Sequence, residues 1–514
     1  MNKIKVLDLF AGPGGLGEGF TRFSPRAGGP SPFNIVFSAE KTPPAVRTLR
    51  LRTFYRLCRN AGDIPQSYFE YLEGNSPVPY DHRTAALWEE ASGEALPLEL
   101  GTSQGDEQLN AGLRKHINPE KDDWVLIGGP PCQAYSLAGR SRNKGVKGYT
   151  PEKDNRHFLY REYLKILAGY RPAAFVMENV KGILSSRIGN ERIFPQILKD
   201  LTAPGGSSGV RYRIHSLVTD DVIQHGDDPD AIDLNNFIIR SEDYGIPQAR
   251  HRVILLGIRD DGPNTPVPKR LEPSASFVSV RSALHGLPPL RSGLSRNDQG
   301  EAKWKLEIRS AVISATNKGV DRETQIRMRN GLQSILDRKF KYDRGGQFVG
   351  LRNLPHGHSY QAQDFLARVQ NPRLQGVTNH FSRGHMPSDL ARYLFASTFA
   401  ERGYSPKAND YPASLAPDHK NWKSGNFADR FRVQLWDSPS TTVVSHISKD
   451  GHYFIHPDPS QCRSLTVREA ARLQTFPDDY FFEGNRTEQY VQVGNAVPPM
   501  LAEKIAKIVF KVIG

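Results

Sequence analysis

The sequence holds 514 residues at 38% hydrophobic composition, enough for two or more domains with real cores. No apolar run reaches transmembrane length and the N-terminus carries no signal-peptide core. Three cysteines (Cys58, Cys132, Cys462) are too few and too scattered for a disulfide framework or a Cys-rich zinc site. A formal charge of +13 and pI near 9.5 favour a polyanionic partner in a reducing, cytoplasmic compartment.

In chain order, short apolar runs at Ile4–Phe10, Ile35–Ala39, Trp124–Gly128, Ala173–Met177 and Val253–Ile258 read as buried parallel strands. Helix-compatible stretches such as Arg156–Ala168 lie between them, which predicts an open, doubly wound α/β sheet. From about Gly262 to Cys462 the chain is rich in Pro, Arg and Ser without clear βα alternation. Within it, Arg281–Arg352 carries fifteen Lys or Arg against seven Asp or Glu. That reads as a basic module spliced into the α/β domain, with a solvated surface as the alternative. After it, Thr466-Val-Arg-Glu469 is a capping box opening a helix. Val497, Leu501, Ile505, Ile508 and Val512 then give a final amphipathic helix. The catalytic part is therefore built from both ends of the chain: 1–262 and 463–514, around an inserted 263–462.

Four segments could carry chemistry. Gly12, Gly14 and Gly17 follow the first strand at the spacing of a nucleotide-binding loop, and the second strand ends in Glu40, placed for ribose hydroxyls. This says only that an adenosine-containing cofactor is bound; a nicotinamide cofactor fits equally, and so does a structural glycine turn. Gly128-Gly-Pro-Pro-Cys132 fixes a thiol at the carboxyl edge of the sheet, a nucleophile's position, although most lone cysteines are inert. Arg140, Arg142, Lys144 and Lys147 follow in a Gly-rich, acid-free stretch, either a loop that closes on a phosphate backbone or a solvated one. Met177-Glu-Asn-Val180 offers a proton donor or a helix cap. Gln248-Ala-Arg-His-Arg252 sets two arginines on one side of a strand entry.

Together these segments resemble the DNA cytosine-C5 methyltransferase family. The ordered motifs are DLFAGPGG at Asp8–Gly15, Pro-Pro-Cys-Gln at Pro130–Gln133, Glu-Asn-Val at Glu178–Val180, and Gln-Ala-Arg-His-Arg at Gln248–Arg252. Arg463–Asp478 and Gln-Val-Gly-Asn-Ala-Val-Pro-Pro at Gln492–Pro499 complete the set. The resemblance implies a Rossmann-like methyltransferase sheet with a large target recognition insert, acting on double-stranded DNA with S-adenosylmethionine. It implies Cys132 as nucleophile, Glu178 engaging cytosine N3, Arg252 supporting the base, and Arg250 stabilising the site. Phe10, Ala11, Gly12, Gly14, Gly15, Leu16, Glu40, Pro130, Asn495, Ala496 and Val497 would form the cofactor pocket. Gln133, Ser136, Arg140, Arg142, Asn179 and Val180 would meet the DNA.

The family's acidic contact to adenine has no secure place; Asp63 has the local sequence but lies far before Cys132. Arg47–Lys121 reads as an elaboration, a helical lid or partner surface. No metal, no membrane and a monomer on DNA are expected, in the cytoplasm at the nucleoid, with a restriction or phage-defence complex as partner. The rivals are a tRNA cytosine-C5 methyltransferase, whose Cys-Phe-Thr signature is missing, and a catalytically silent DNA-binding protein. A dehydrogenase leaves every motif but the glycine loop unexplained.

Overall fold

The computed structural model describes residues 3–130, 159–188, 190–206, 208–338, 341–350, 360–418, 422 and 430–514. A nine-stranded sheet forms its centre. The strands are β1 (Ile4–Leu9), β2 (Phe33–Glu40), β3 (Ala95–Pro97), β4 (Val125–Gly128), β5 (Ala174–Val180), β6 (Tyr212–His215), β7 (Val222–Ile223), β8 (Ile238–Arg240) and β9 (His251–Arg259). They run in the order β3-β2-β1-β4-β5-β9-β6-β7, with β8 also paired to β9. The five from β3 to β5 pair in parallel. Successive residues go to opposite faces and both faces are apolar, as buried parallel strands require. Thus Val6, Val125 and Val176 join one core, while Leu7, Leu126 and Phe175 join the other.

One sequence expectation is corrected. Val253–Ile258 lies in β9, which is antiparallel to β5, β6 and β8. A strand buried on both faces shows the same unbroken apolar run whichever way it points. Its direction is set by the short return from β8, which a parallel crossover could not make.

Helices cover both faces. On one lie α1 (Gly15–Arg22) and, from the far end of the chain, α13 (Val467–Leu473), α14 (Arg486–Asn495) and α15 (Pro499–Ile513). On the other lie α5 (Ser103–His116), α6 (Tyr160–Tyr170) and α7 (Ile193–Thr202). The first residues of the helix expected at 156–168 fall outside the described residues. The capping box that opens α13 forms as read. Thr466 accepts from Glu469 N–H, and the Glu469 carboxylate accepts from Thr466 N–H at 2.7 Å while also pairing with Arg463.

Part of the 47–121 stretch belongs to the sheet itself, as β3 and α5. The remainder, α2 (Pro43–Ala61), α3 (Gln66–Glu73) and α4 (Ala85–Glu94), makes an aromatic-rich cluster around Phe54, Tyr68 and Phe69 that is closed by Leu374 and Phe481.

Between residues 263 and 462 the chain holds α8 (Val280–Leu284), α9 (Glu301–Thr316), α10 (Arg322–Leu336), α11 (Tyr360–Val369) and α12 (Pro387–Ser397). α9, α10 and α12 share a core of their own around Trp304, Ile308, Met328 and Leu394. α8, the buried face of α11 and residues Val443, Ile447 and Phe454 pack instead into the core that holds α1 and α15. Among the described residues, no helix is long and apolar enough to cross a membrane.

Candidate active site

The turn from β1 into α1 is bent by three left-handed residues: Phe10 (φ 54°), Gly12 (φ 57°) and Gly14 (φ 91°). Gly14 caps α1 without a side-chain acceptor, which leaves the N–H groups at the start of the helix without an N-cap side chain. Glu40, at the end of β2, holds this turn. One carboxylate oxygen accepts from Gly12 N–H at 2.9 Å and the other from Thr42 N–H at 2.8 Å. Tyr480 donates its hydroxyl to Pro13 O from the opposite wall.

The C-terminal segment closes against the same turn. A Cβ on Gly15 would stand 2.2 Å from Val497 O, so glycine is what lets the two backbones meet. Ala496 and Val497 are buried beside it, whereas the Asn495 side chain is exposed. Leu16 turns into the core, and Phe10 and Ala11 stay part-exposed at the rim.

Beneath the turn, Asp8 is buried and its carboxylate, with no side-chain partner among the described residues, faces the backbone N–H of Gly17. Burial, reinforced by the charge of Glu40, pushes its carboxyl well above the usual range. Next to it, burial alone would raise Glu18, but the bidentate Arg52 guanidinium holds it down at about 2. The donor set suits S-adenosylmethionine. The uncapped first turn of α1 would suit a ligand's carboxylate and the Glu40 carboxylate its hydroxyl groups.

A second cluster stands at the ends of β4, β5 and β9. Gly128 and Gly129 bring the chain so close that Cβ atoms there would lie 2.4 Å from Leu9 O and 3.0 Å from Glu178 Oε2. Glu178, almost buried, pairs with Arg252 at 2.7 Å. Asn179 donates from Nδ2 to Pro130 O at 3.4 Å and accepts from Val180 N–H at 2.9 Å, tying β5 to the segment that leads to residue 132. Cys132, Gln133, Ser136, Arg140 and Arg142 lie outside the described residues.

Arg250 points the other way, into the core. It donates to Val443 O at 2.7 Å and Gly494 O at 3.1 Å, and burial together with Arg252 works against its charge. Gln248 does the same work beside it, donating to Leu473 O and accepting from Val443 N–H. The two residues thus fasten the start of β9 to Val443 of the insert and to Leu473 and Gly494 of the C-terminal segment.

Asp63 is not at this site. It follows α2 and pairs at the surface with Arg373, 2.8 Å away. The carboxylate just beyond β3 belongs to Glu99, which pairs with Lys41. Sequence reading missed Asp8 as a buried acid with no side-chain partner among the described residues, although an acid inside an apolar strand is a visible signal. It also missed Tyr480, for which the sequence holds none.

The sequence profile of the C-5 cytosine-specific DNA methylases matches residues 113–511. The type II methyltransferase M.Bpa9945I of Bacillus paralicheniformis is 34% identical over 528 residues, covering 99% of each chain. The DNA (cytosine-5-)-methyltransferase M.ApeKI of Aeropyrum pernix is 25% identical over 536 residues, covering 100% of this chain and 99% of its own. Among solved structures, an Escherichia coli prophage-encoded chain assigned as a DNA modification methyltransferase shares the fold. Its TM-score is 0.50 at 20% identity, with 99% of both chains covered. With its S-adenosylmethionine-type sheet, its ordered motifs and relatives matched along their full length, the chain belongs to the C-5 cytosine-specific DNA methyltransferases.

Proposed function

We propose that this enzyme methylates cytosine C5 within one short duplex DNA sequence through a covalent Cys132–C6 adduct. The observation that carries the reading is the Glu178–Arg252 pair at the ends of β5 and β9, beside the backbone that leads to Cys132 and next to the glycine turn. Phe10, Ala11, Gly12, Gly14, Gly15, Leu16, Glu40, Pro130 and Asn495–Val497 would hold S-adenosylmethionine, which supplies an electrophilic methyl group on a sulfonium sulfur.

Cytosine C5 is a weak nucleophile, so the protein must first make the ring enamine-like. The Cys132 thiolate adds to C6, and Glu178 holds a proton at N3 where the charge develops. Arg252 fixes the Glu178 carboxylate and faces the base. After methylation, loss of the C5 proton and expulsion of the thiolate restore the aromatic ring and the free cysteine. None of these atoms is reachable in a stacked duplex, so the base is flipped out, and the residues after Ser136, Arg140 and Arg142 among them, would meet it or the flanking phosphates.

Target recognition falls to the 263–462 insert, whose basic stretch grips phosphates while other side chains read base edges. The relatives' type II designation supports a place beside a restriction or phage-defence partner. The enzyme acts as a monomer on DNA at the nucleoid.

Bisulfite sequencing of DNA from cells expressing the wild type and Cys132→Ser tests this. Methylcytosine in one motif, absent in the mutant, is expected. Methylation that survives Cys132→Ser overturns the adduct, and methylcytosine found in tRNA but not DNA overturns the substrate.

A further inference from the structure

We propose that Thr475 is a positioning residue for the cofactor pocket, acting through the N-terminus of α15. The inference rests on the reading that Asn495–Val497 closes that pocket.

α13 ends in a doubly hydrogen-bonded turn: Thr475 N–H donates to Arg472 O at 2.8 Å, and Phe476 N–H donates to Ala471 O at 2.9 Å. That pattern puts residue 475 at the left-handed position where helices usually place glycine. Here the residue is threonine, at φ 64° and fully buried. A β-branched side chain in this region of backbone space is strained, and glycine would relieve the strain. What glycine could not supply is a hydroxyl. Thr475 Oγ1 accepts from Met500 N–H at 3.1 Å.

α15 has a specific need for that acceptor. Its first residue, Pro499, has no N–H, and the N–H groups of Leu501 and Ala502 both donate to Pro498 O at 3.0 Å. Pro498, at the cap position, has no side-chain acceptor. The buried Met500 N–H is thus the donor of the first turn with no partner inside its own helix. A residue from the turn that follows α13 caps it.

The grip extends one residue back. Gln474 Nε2 donates to Val493 O at 2.8 Å and reaches Ala496 O at 3.4 Å. Gln474 and Thr475 therefore hold the segment 493–500 from one side. On its other side, Val497 O meets Gly15 so closely that no side chain fits between them. Any movement of the start of α15 is transmitted to the wall of the glycine turn, because two packed backbones leave nothing to absorb it.

The test compares Thr475→Val, Thr475→Gly and Thr475→Ser in the full chain. Binding of S-adenosylmethionine is followed by calorimetry, KM is measured for cofactor and DNA separately, and Tm is recorded. Valine keeps the shape and the strain but loses the acceptor. It is expected to raise the Kd and KM for S-adenosylmethionine about tenfold, with kcat at saturating cofactor and the KM for DNA within about twofold. Glycine is expected to show the same cofactor defect despite its relaxed backbone, and serine to restore affinity to within about twofold of wild type.

Wild-type affinity in Thr475→Gly overturns the proposal. So does a Thr475→Val variant whose kcat and both KM values deteriorate together in step with its Tm. Asn495→Ala reports separately on the pocket. If Asn495→Ala and Thr475→Val both leave cofactor affinity unchanged, the pocket reading fails along with the inference. If Asn495→Ala weakens binding and Thr475→Val does not, the inference fails alone.

Discussion

Arg252 Nε stands 2.7 Å from Glu178 Oε1, joining two antiparallel neighbours in the sheet. The register sets Ile254 opposite Glu178 and Arg252 opposite Val180, so the pair is diagonal on one face of the sheet. On the proposed mechanism, Glu178→Gln keeps the shape but loses the carboxyl that would hold a proton at N3. Its single-turnover rate is expected to fall about 100-fold or more, with cofactor affinity unchanged. An unaltered single-turnover rate would remove Glu178 from the chemistry.

Arg250 is expected to behave differently, because its guanidinium serves two buried carbonyls, Val443 O and Gly494 O, rather than a base. Arg250→Met strands both acceptors and is expected to cost about 2–4 kcal/mol in urea unfolding. Activity should fall mainly because Gly494 and the segment after it lose their anchor. A variant of full stability and no activity would instead make Arg250 part of the chemistry.

Two glycines in one turn separate strain from collision. Gly12 has a positive φ but open space around the position of a Cβ, so Gly12→Ala should cost only about 1–2 kcal/mol in the absence of cofactor. Gly15→Ala drives a methyl into Val497 O and should cost more, about 3 kcal/mol, while opening the pocket. Equal Tm losses for the two would mean that the C-terminal segment yields freely.

Acid should loosen the molecule before carboxylates of ordinary pKa are protonated. Burial is the main reason that the imidazoles of His215 and His380 sit at about 4, and it also lowers His385, His452 and His456. The unfolded chain takes up protons near pH 6.5 while these folded rings refuse them. Stability is therefore intact above that pH and declines as pH falls towards 4, by up to about 3 kcal/mol for His380 alone. Unfolding curves from pH 7.5 to 4.5 should show this slope and His380→Asn should flatten it; a flat wild-type profile contradicts the account.

Much of this molecule was legible in its sequence for a physical reason. β1, β2, β4 and β5 each contain a short apolar run, and the motifs before residue 262 sit at strand ends, while the last two sit on α13, α14 and the start of α15. β3 escaped because three residues, Ala95–Pro97, carry no periodic signal. The direction of β9 escaped because burial is blind to direction. α9 was hidden by its charges, although Trp304, Ile308, Val312 and Ala315 recur at helical spacing along its buried face.

At the site, local sequence named Glu178 and Arg252, which the structure brings together as a pair, and gave no secure adenine contact: Asp63 has a suitable Gly-Asp-Ile context, but its carboxylate pairs with Arg373. Nor could residues 10–15 announce that Tyr480 and Val497 would close over them. Those contacts depend on packing between the two ends of the chain.

That meeting of Gly15 with Val497 has a consequence in time. Almost the whole chain separates the two residues. At roughly 5–20 residues per second a ribosome needs on the order of half a minute to a minute and a half to travel between them. Throughout that interval the nascent enzyme displays its glycine turn, and from residue 252 onward the Glu178–Arg252 pair as well, with no C-terminal wall to close against them. Methylating power therefore switches on only with the emergence of α15, and any message cut short before it yields a silent protein.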